Sequence, residues 1–113
     1  MKRIEAIVRP SKLDDVLKAL GGKSSVSGIT VAEAQGFGRQ LGHSEVYAAV
    51  ENEFTLVPKK LLVLYVADHD AEDVIQSIMK AAQTGKIGDG KIAVHDIDSL
   101  VRVRTGERGE AAL

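Results

Sequence analysis

Between Lys2 and Arg9 apolar and polar positions partly alternate, with Ile4, Ala6 and Val8 facing one way and Arg3, Glu5 and Arg9 the other. That is the period of a half-buried strand, and Pro10 ends it. Ser11 stands where a helix N-cap belongs, Asp14 follows three residues on, and Leu13, Val16, Leu17 and Leu20 recur on one helical face until Gly21-Gly22. GITVAEA (28–34) predicts a second strand. After Phe37 the pattern dissolves for about twenty residues, until Pro58, a length that usually signals a functional excursion. KLLVLYVA (60–67) is a continuous apolar run, as in a strand buried on both faces or lying at a subunit contact. In the next segment Asp70 can cap, Asp73 sits in the first turn, and Ala71, Val74, Ile75, Ile78 and Ala82 form an apolar stripe, with Gly85 as the helix stop. KIAVHDI, starting at Lys91, predicts a last strand.

The resulting order, β-α-β-β-α-β, is that of an α+β, ferredoxin-like split βαβ fold with an antiparallel sheet and both helices on one face. The other face needs a cover. In a chain this short, self-association is the economical one, so an oligomer is expected. Gly109 to Leu113 is expected to be a loose tail.

At 113 residues the chain has the size of one domain, and 44% apolar with 27% charged residues is the composition of a protein that folds. A net charge of -1 offers no bulk attraction to nucleic acid or anionic membranes, so any anion site must be a local cluster. There is no cysteine, which excludes disulfides, thiolate catalysis and thiolate zinc sites. The opening MKRIEAIVRP is interrupted by Glu5 and Arg9 and is no secretory signal, and no apolar run is long enough to span a membrane. The expected location is the cytoplasm.

Three segments carry anion-binding chemistry. TGKIGDGK (84–91) has the glycine and lysine spacing of a P-loop, but Ile92 replaces the required Ser or Thr and the segment runs from helix to strand rather than strand to helix. What remains is a tight turn at Gly88, Asp89 and Gly90 whose amides could converge on an anion beside Lys91; a plain surface turn with a solvated lysine fits this segment equally well. GFGRQLG (36–42) places three glycines beside Arg39 and Gln40, without the spacing of a dinucleotide fingerprint. Arg102 and Arg104 lie two apart, which in extended chain puts both guanidinium groups on one face, as polyphosphate binding favours and as an ordinary solvated strand also shows. The three together favour a phosphate ligand. Alternatives are a slow nucleotide hydrolase, for which Asp89 is the only base to consider and no nucleophile-base pair stands out, and a small metal-binding trimer, for which His43, His69 and His95 are too scattered. A nucleic-acid module would need a basic stripe and stacking aromatics that the chain lacks.

KRIEAIVRPSKLDDVLKAL, GITVAEAQGFGRQLGHSEVY and AAQTGKIGDGKIAVHDIDSLVRVRTGE, in that order and over nearly the whole chain, resemble the PII signal-transduction family. The resemblance implies one PII-like domain over 1–113, with a T-loop at about 38–57, a B-loop at about 83–91 and a C-loop at about 102–113. It further implies a homotrimer with nucleotide sites between neighbouring subunits, where ATP and ADP compete and where, in many members, 2-oxoglutarate binds beside ATP through a shared magnesium ion. Carried onto this chain, Gly88, Asp89, Gly90 and Lys91 would lie over the phosphates, with Arg102 and Arg104 reaching in from the adjacent subunit. Gly28, Ile29 and Thr30 would hold the adenosine part together with Ile7 and Gly36. Gly38, Arg39 and Gln40 would begin the T-loop, Gln40 as the magnesium ligand when ATP is bound, and Lys59 would meet the 2-oxoglutarate carboxylate. The implied role is non-enzymatic control of a protein target, a transporter or a metabolic enzyme, in nitrogen regulation.

Departures mark a divergent paralogue with an altered T-loop. The tip reads Tyr47-Ala48-Ala49-Val50-Glu51-Asn52, so Asn52 replaces the tyrosine that is uridylylated or adenylylated in relatives, and Val50 the serine phosphorylated in others. Ala48 stands where related proteins carry the arginine that plugs ammonium channels, which disfavours that partner. Tyr65 and Ala93 also depart from the usual residues near the nucleotide site.

Overall fold

The computed structural model describes residues 1–38 and 55–113. Four strands, β1 (Lys2–Val8), β2 (Thr30–Gly36), β3 (Val57–Val66) and β4 (Lys91–Asp96), form one sheet in the order β2-β3-β1-β4. All neighbours are antiparallel, with Ile4 opposite both Leu64 and Val94, and Ala32 opposite Leu61. Helix α1 (Leu13–Gly21) joins β1 to β2, and α2 (Ala71–Ala82) joins β3 to β4. This is the α+β, ferredoxin-like arrangement expected of the pattern: each βαβ unit is split by a strand of the other.

Alternation decides which face is covered. Ile4, Ala6 and Val8 of β1 and Leu62, Leu64 and Val66 of β3 are all buried, packed with Val16 and Leu20 of α1 and with Ala71, Val74, Ile78 and Ala82 of α2. Both helices therefore lie on one face. Each fully buried Leu, Ile or Val contributes about 1.5–3 kcal/mol of transfer free energy. On the opposite face Leu61 and Val63 are half-buried and Tyr65 is 40% exposed, so β3 is buried on one side only by its own chain.

Local chemistry moved several boundaries. Ser11 does not cap α1: Pro10, with its preset φ and no N–H, opens a 3-10 turn over Pro10–Lys12, and the helix begins after it without a side-chain cap. Asp70 does hold the N-cap position of α2, but its side chain makes no capping bond, because a 3-10 turn over Asp68–Asp70 leads into the helix. The stop lies before Gly85, where Gln83 turns extended and donates its N–H to the Met79 carbonyl at 2.9 Å. Pro58 is tolerated in β3 because that end of the strand runs past β1, whose pairing begins only at Val8 opposite Lys60.

The C-terminal end is not a loose tail. Val101 bridges to Arg108, the Gly109 N–H reaches the Leu100 carbonyl at 2.9 Å, and Gly109–Ala112 closes as a 3-10 turn that leaves Leu113 half-buried. Nor are Arg102 and Arg104 in extended chain. The Arg102 N–H bonds to the Glu107 carbonyl and the Gly106 N–H to the Arg102 carbonyl, with Gly106 at φ +74°, so the chain reverses between them. No helix among the described residues is long and apolar enough to cross a membrane.

Candidate functional site

Loop 83–91, between α2 and β4, is organised around one carboxylate. Asp89 Oδ2 accepts the backbone N–H groups of Thr84 at 2.8 Å and Gly85 at 2.9 Å; Oδ1 accepts the Thr84 hydroxyl and, at 3.0 Å, Nε of Arg9. The Thr84 hydroxyl bond, then the Thr84 amide, with Arg9 and the Gly85 amide adding, hold the Asp89 carboxyl far below the usual carboxylate range against the desolvation that opposes them. A carboxylate with both oxygens engaged and so weakly basic stabilises its turn; it is not poised as a general base.

Two cations grip the same loop from the sheet. Nη2 of Arg9 donates to the Ile87 carbonyl at 2.9 Å, and Nζ of Lys59, at the edge of β1's pairing with β3, donates to the Gly88 carbonyl at 2.5 Å. Partial burial, then the neighbouring Arg9 charge, push the Lys59 ammonium below the ordinary lysine value, while Asp89 pulls it up. Gly88 (φ +109°) and Gly90 (φ +100°) take the left-handed backbone that side chains resist. Lys91 then enters β4 opposite Ile7, with its side chain exposed. Ile7, Gly90 and Lys91 share a hollow of about 360 Å³ with Ile75 and Met79 of α2.

A second cluster forms elsewhere. Gly28, Ile29 and Thr30, leading into β2, line a hollow of about 370 Å³ with Tyr65, Val101 and Leu113. Arg102 sits beside it, its guanidinium donating to Glu107 Oε1 at 2.8 Å and to the Leu113 carbonyl at 2.7 Å, whereas Arg104 is exposed on the turn. Loop 83–91 leads into β4 and Gly28–Thr30 into β2, the two edge strands of the sheet, while Lys59 and Tyr65, one from each cluster, lie six residues or about 20 Å apart along β3. Ile7, which the resemblance assigns with Gly28–Thr30 to the adenosine part of a nucleotide between subunits, lies beside Lys91 within one subunit. Gly36 closes β2 opposite Val57, six residues or about 20 Å along the strand from Thr30. Gly38 follows it; Arg39, Gln40, His43 and the tip from Tyr47 to Asn52 lie outside the described residues.

Arg9 and Thr84 were not singled out by sequence. Thr84 had a signal, a hydroxyl five positions before Asp89 in a glycine-rich turn; Arg9 had none, since only the pairing of β1 with β4 brings it across 80 residues to Asp89. Of the remaining histidines, His69 is exposed beside Asp70 and His95 lies in β4 opposite Arg3. Among the described residues no three His, Asp or Glu side chains gather as a metal site.

Comparison with known proteins agrees with this architecture. The family model described as nitrogen regulatory protein P-II matches residues 1–107. The chain is 48% identical to the nitrogen regulatory protein P-II of Pasteurella multocida and 50% identical to that of Rhizobium meliloti, over 113 residues and the full length of both partners in each comparison. It is 46% identical, again over full length, to nitrogen regulatory protein P-II 1 of Escherichia coli K12. The chain belongs to the nitrogen regulatory protein P-II family, whose members are signalling regulators rather than enzymes.

Proposed function

We propose that this protein is a nucleotide-responsive regulator, in which ATP and ADP compete for clefts between copies of a homotrimer and the bound state sets the conformation of the T-loop, 38–57, toward a protein target. The observation that carries this reading is the split of the candidate residues between two opposite sheet edges. One edge offers the glycine turn with Lys91; the other offers a hollow of mixed polarity lined by Thr30 and Tyr65, with Arg102 beside it. A nucleotide would use both if the β4 edge of one copy faced the β2 edge of the next. The uncovered sheet face around Tyr65 suits such an association.

In this arrangement the amides of loop 83–91 and Lys91 hold the phosphates, and Arg102 and Arg104 add charge from the neighbouring copy. Gly28–Thr30 and Tyr65 hold the base and sugar. Lys59, a partly buried cation beside the loop, would meet the carboxylate of 2-oxoglutarate, with Gln40 on the magnesium ion that links it to ATP. Ligands bias the T-loop only through contacts that differ between its conformations, and Gly36 and Gly38 at its root allow several. With Asn52 and Val50 at the tip, control by covalent modification at the usual places is absent from this reading, leaving ligand occupancy as the signal. The target, a transporter or metabolic enzyme met in the cytoplasm, is found by its dependence on nucleotide.

Thermal denaturation with ATP, ADP, and ATP with magnesium and 2-oxoglutarate is the test. Each nucleotide should raise the Tm of the wild-type protein and not that of Lys91→Ala; no shift with any nucleotide refutes the reading.

A further inference from the structure

Resting on the nucleotide reading above, we infer that Arg9 and Thr84 are positioning residues of the phosphate site, acting through Asp89 and the loop backbone without touching the ligand. In a trans peptide the C=O and the following N–H point in opposite directions. The Ile87–Gly88 peptide is trans, as is every peptide among the described residues, so when Arg9 draws the Ile87 carbonyl toward itself, the Gly88 N–H is turned the other way. Lys59 does the same to the Gly88 carbonyl and thereby to the Asp89 N–H. Two successive amides are thus turned away from the cations, while the carbonyls that would repel an anion are neutralised on the inner side.

The remaining contacts keep that orientation. Asp89 ties the start of the loop, through the Thr84 and Gly85 amides, to its end, and its other oxygen joins the Thr84 hydroxyl to Arg9. The Thr84 oxygen also accepts the Lys86 N–H at 3.2 Å, so one hydroxyl bonds on both sides of the turn. Arg9 is held to the loop through Nε and Nη2, which fixes its guanidinium on the Asp89 side of the turn. Asp89 cannot readily ligate magnesium, since both oxygens already accept two bonds. Its function is to shape the site.

The test measures ATP by calorimetry and adenosine by NMR titration on wild type, Thr84→Val, Thr84→Ser, Arg9→Gln, Asp89→Asn and the double variant Thr84→Val/Asp89→Asn. Thr84→Val and Arg9→Gln should each weaken ATP about five- to tenfold, the cost of one or two lost hydrogen bonds, and leave adenosine within about twofold. Thr84→Ser should restore ATP binding. The double variant should be no weaker than Asp89→Asn, because the two groups act as one unit. Unchanged ATP binding in Thr84→Val, an equal loss of adenosine, or additive losses would overturn the inference. Should the wild type bind no ATP, the nucleotide reading falls, and amide exchange decides the clasp. Thr84→Val must then speed exchange at position 84 and at Gly85, whose N–H groups are bonded to Asp89; unchanged exchange there ends the proposal.

Discussion

Gly90 runs so close beneath Ile7 that a Cβ built on it would stand 1.7 Å from the Ile7 carbonyl oxygen and 2.7 Å from its carbonyl carbon. The obstacle is backbone of a central strand and cannot move aside, and φ +100° adds its own penalty. Gly90→Ala is therefore expected to destabilise the protein by about 3 kcal/mol or more. Gly85→Ala, at φ +84° but with open space around it, should cost only about 1 kcal/mol. Thermal melts of the two variants check the ranking.

The Asp89 carboxylate makes a pH-dependent contribution whose sign follows from its depressed native pKa. Above the ordinary carboxylate value, near 4, both folded and unfolded chains are ionised and the stabilisation is fully present. As pH falls below about 4, the unfolded chain takes up a proton that the native chain does not, and the contribution is lost. The Tm gap between wild type and Asp89→Asn should be constant from pH 5 to 8 and shrink below about pH 4, as melts across that range would record.

If the nucleotide site is shared between copies, defects on opposite edges should complement. Lys91→Ala and Arg104→Ala each remove one side, and each homotrimer should lose ATP affinity. Unfolding and refolding them as a mixture should regenerate clefts carrying both Lys91 and Arg104. Calorimetry should then recover a fraction of the sites at wild-type affinity; no recovery would place both residues in one subunit's site.

Core packing predicts a plainer outcome. Leu64 is fully buried in β3 opposite Ile4, and Leu64→Ala should cost about 2–5 kcal/mol, measured by denaturant melts.

The strands and helices were legible because their periods differ: Ile4, Ala6 and Val8 at every second position, Val74, Ile78 and Ala82 at helical spacing. Pro10 was readable as punctuation, but not as the start of a 3-10 turn that displaces Ser11 from its cap. Glycines pointed to the loop at 83–91. Its clasp was hidden, because Arg9 meets Asp89 through sheet register and no local pattern encodes that meeting. The C-terminal turn was missed for a related reason: Arg102 finds Glu107 and Leu113 only after Gly106 reverses the chain. Tail-like composition does not reveal such a closure.

The interleaved strand order has a consequence for how the chain comes to be folded. β3 separates β1 from β2, and β1 separates β3 from β4, so neither βαβ half can complete its sheet alone. Lys2 meets Asp96 at the far side of the sequence, and the ribosome must deliver β4 before β1 finds its second neighbour. Assembly is therefore governed by distant pairings, slower than for a helical bundle of equal size, and a chain truncated within α2 should have no stable half to fall back on.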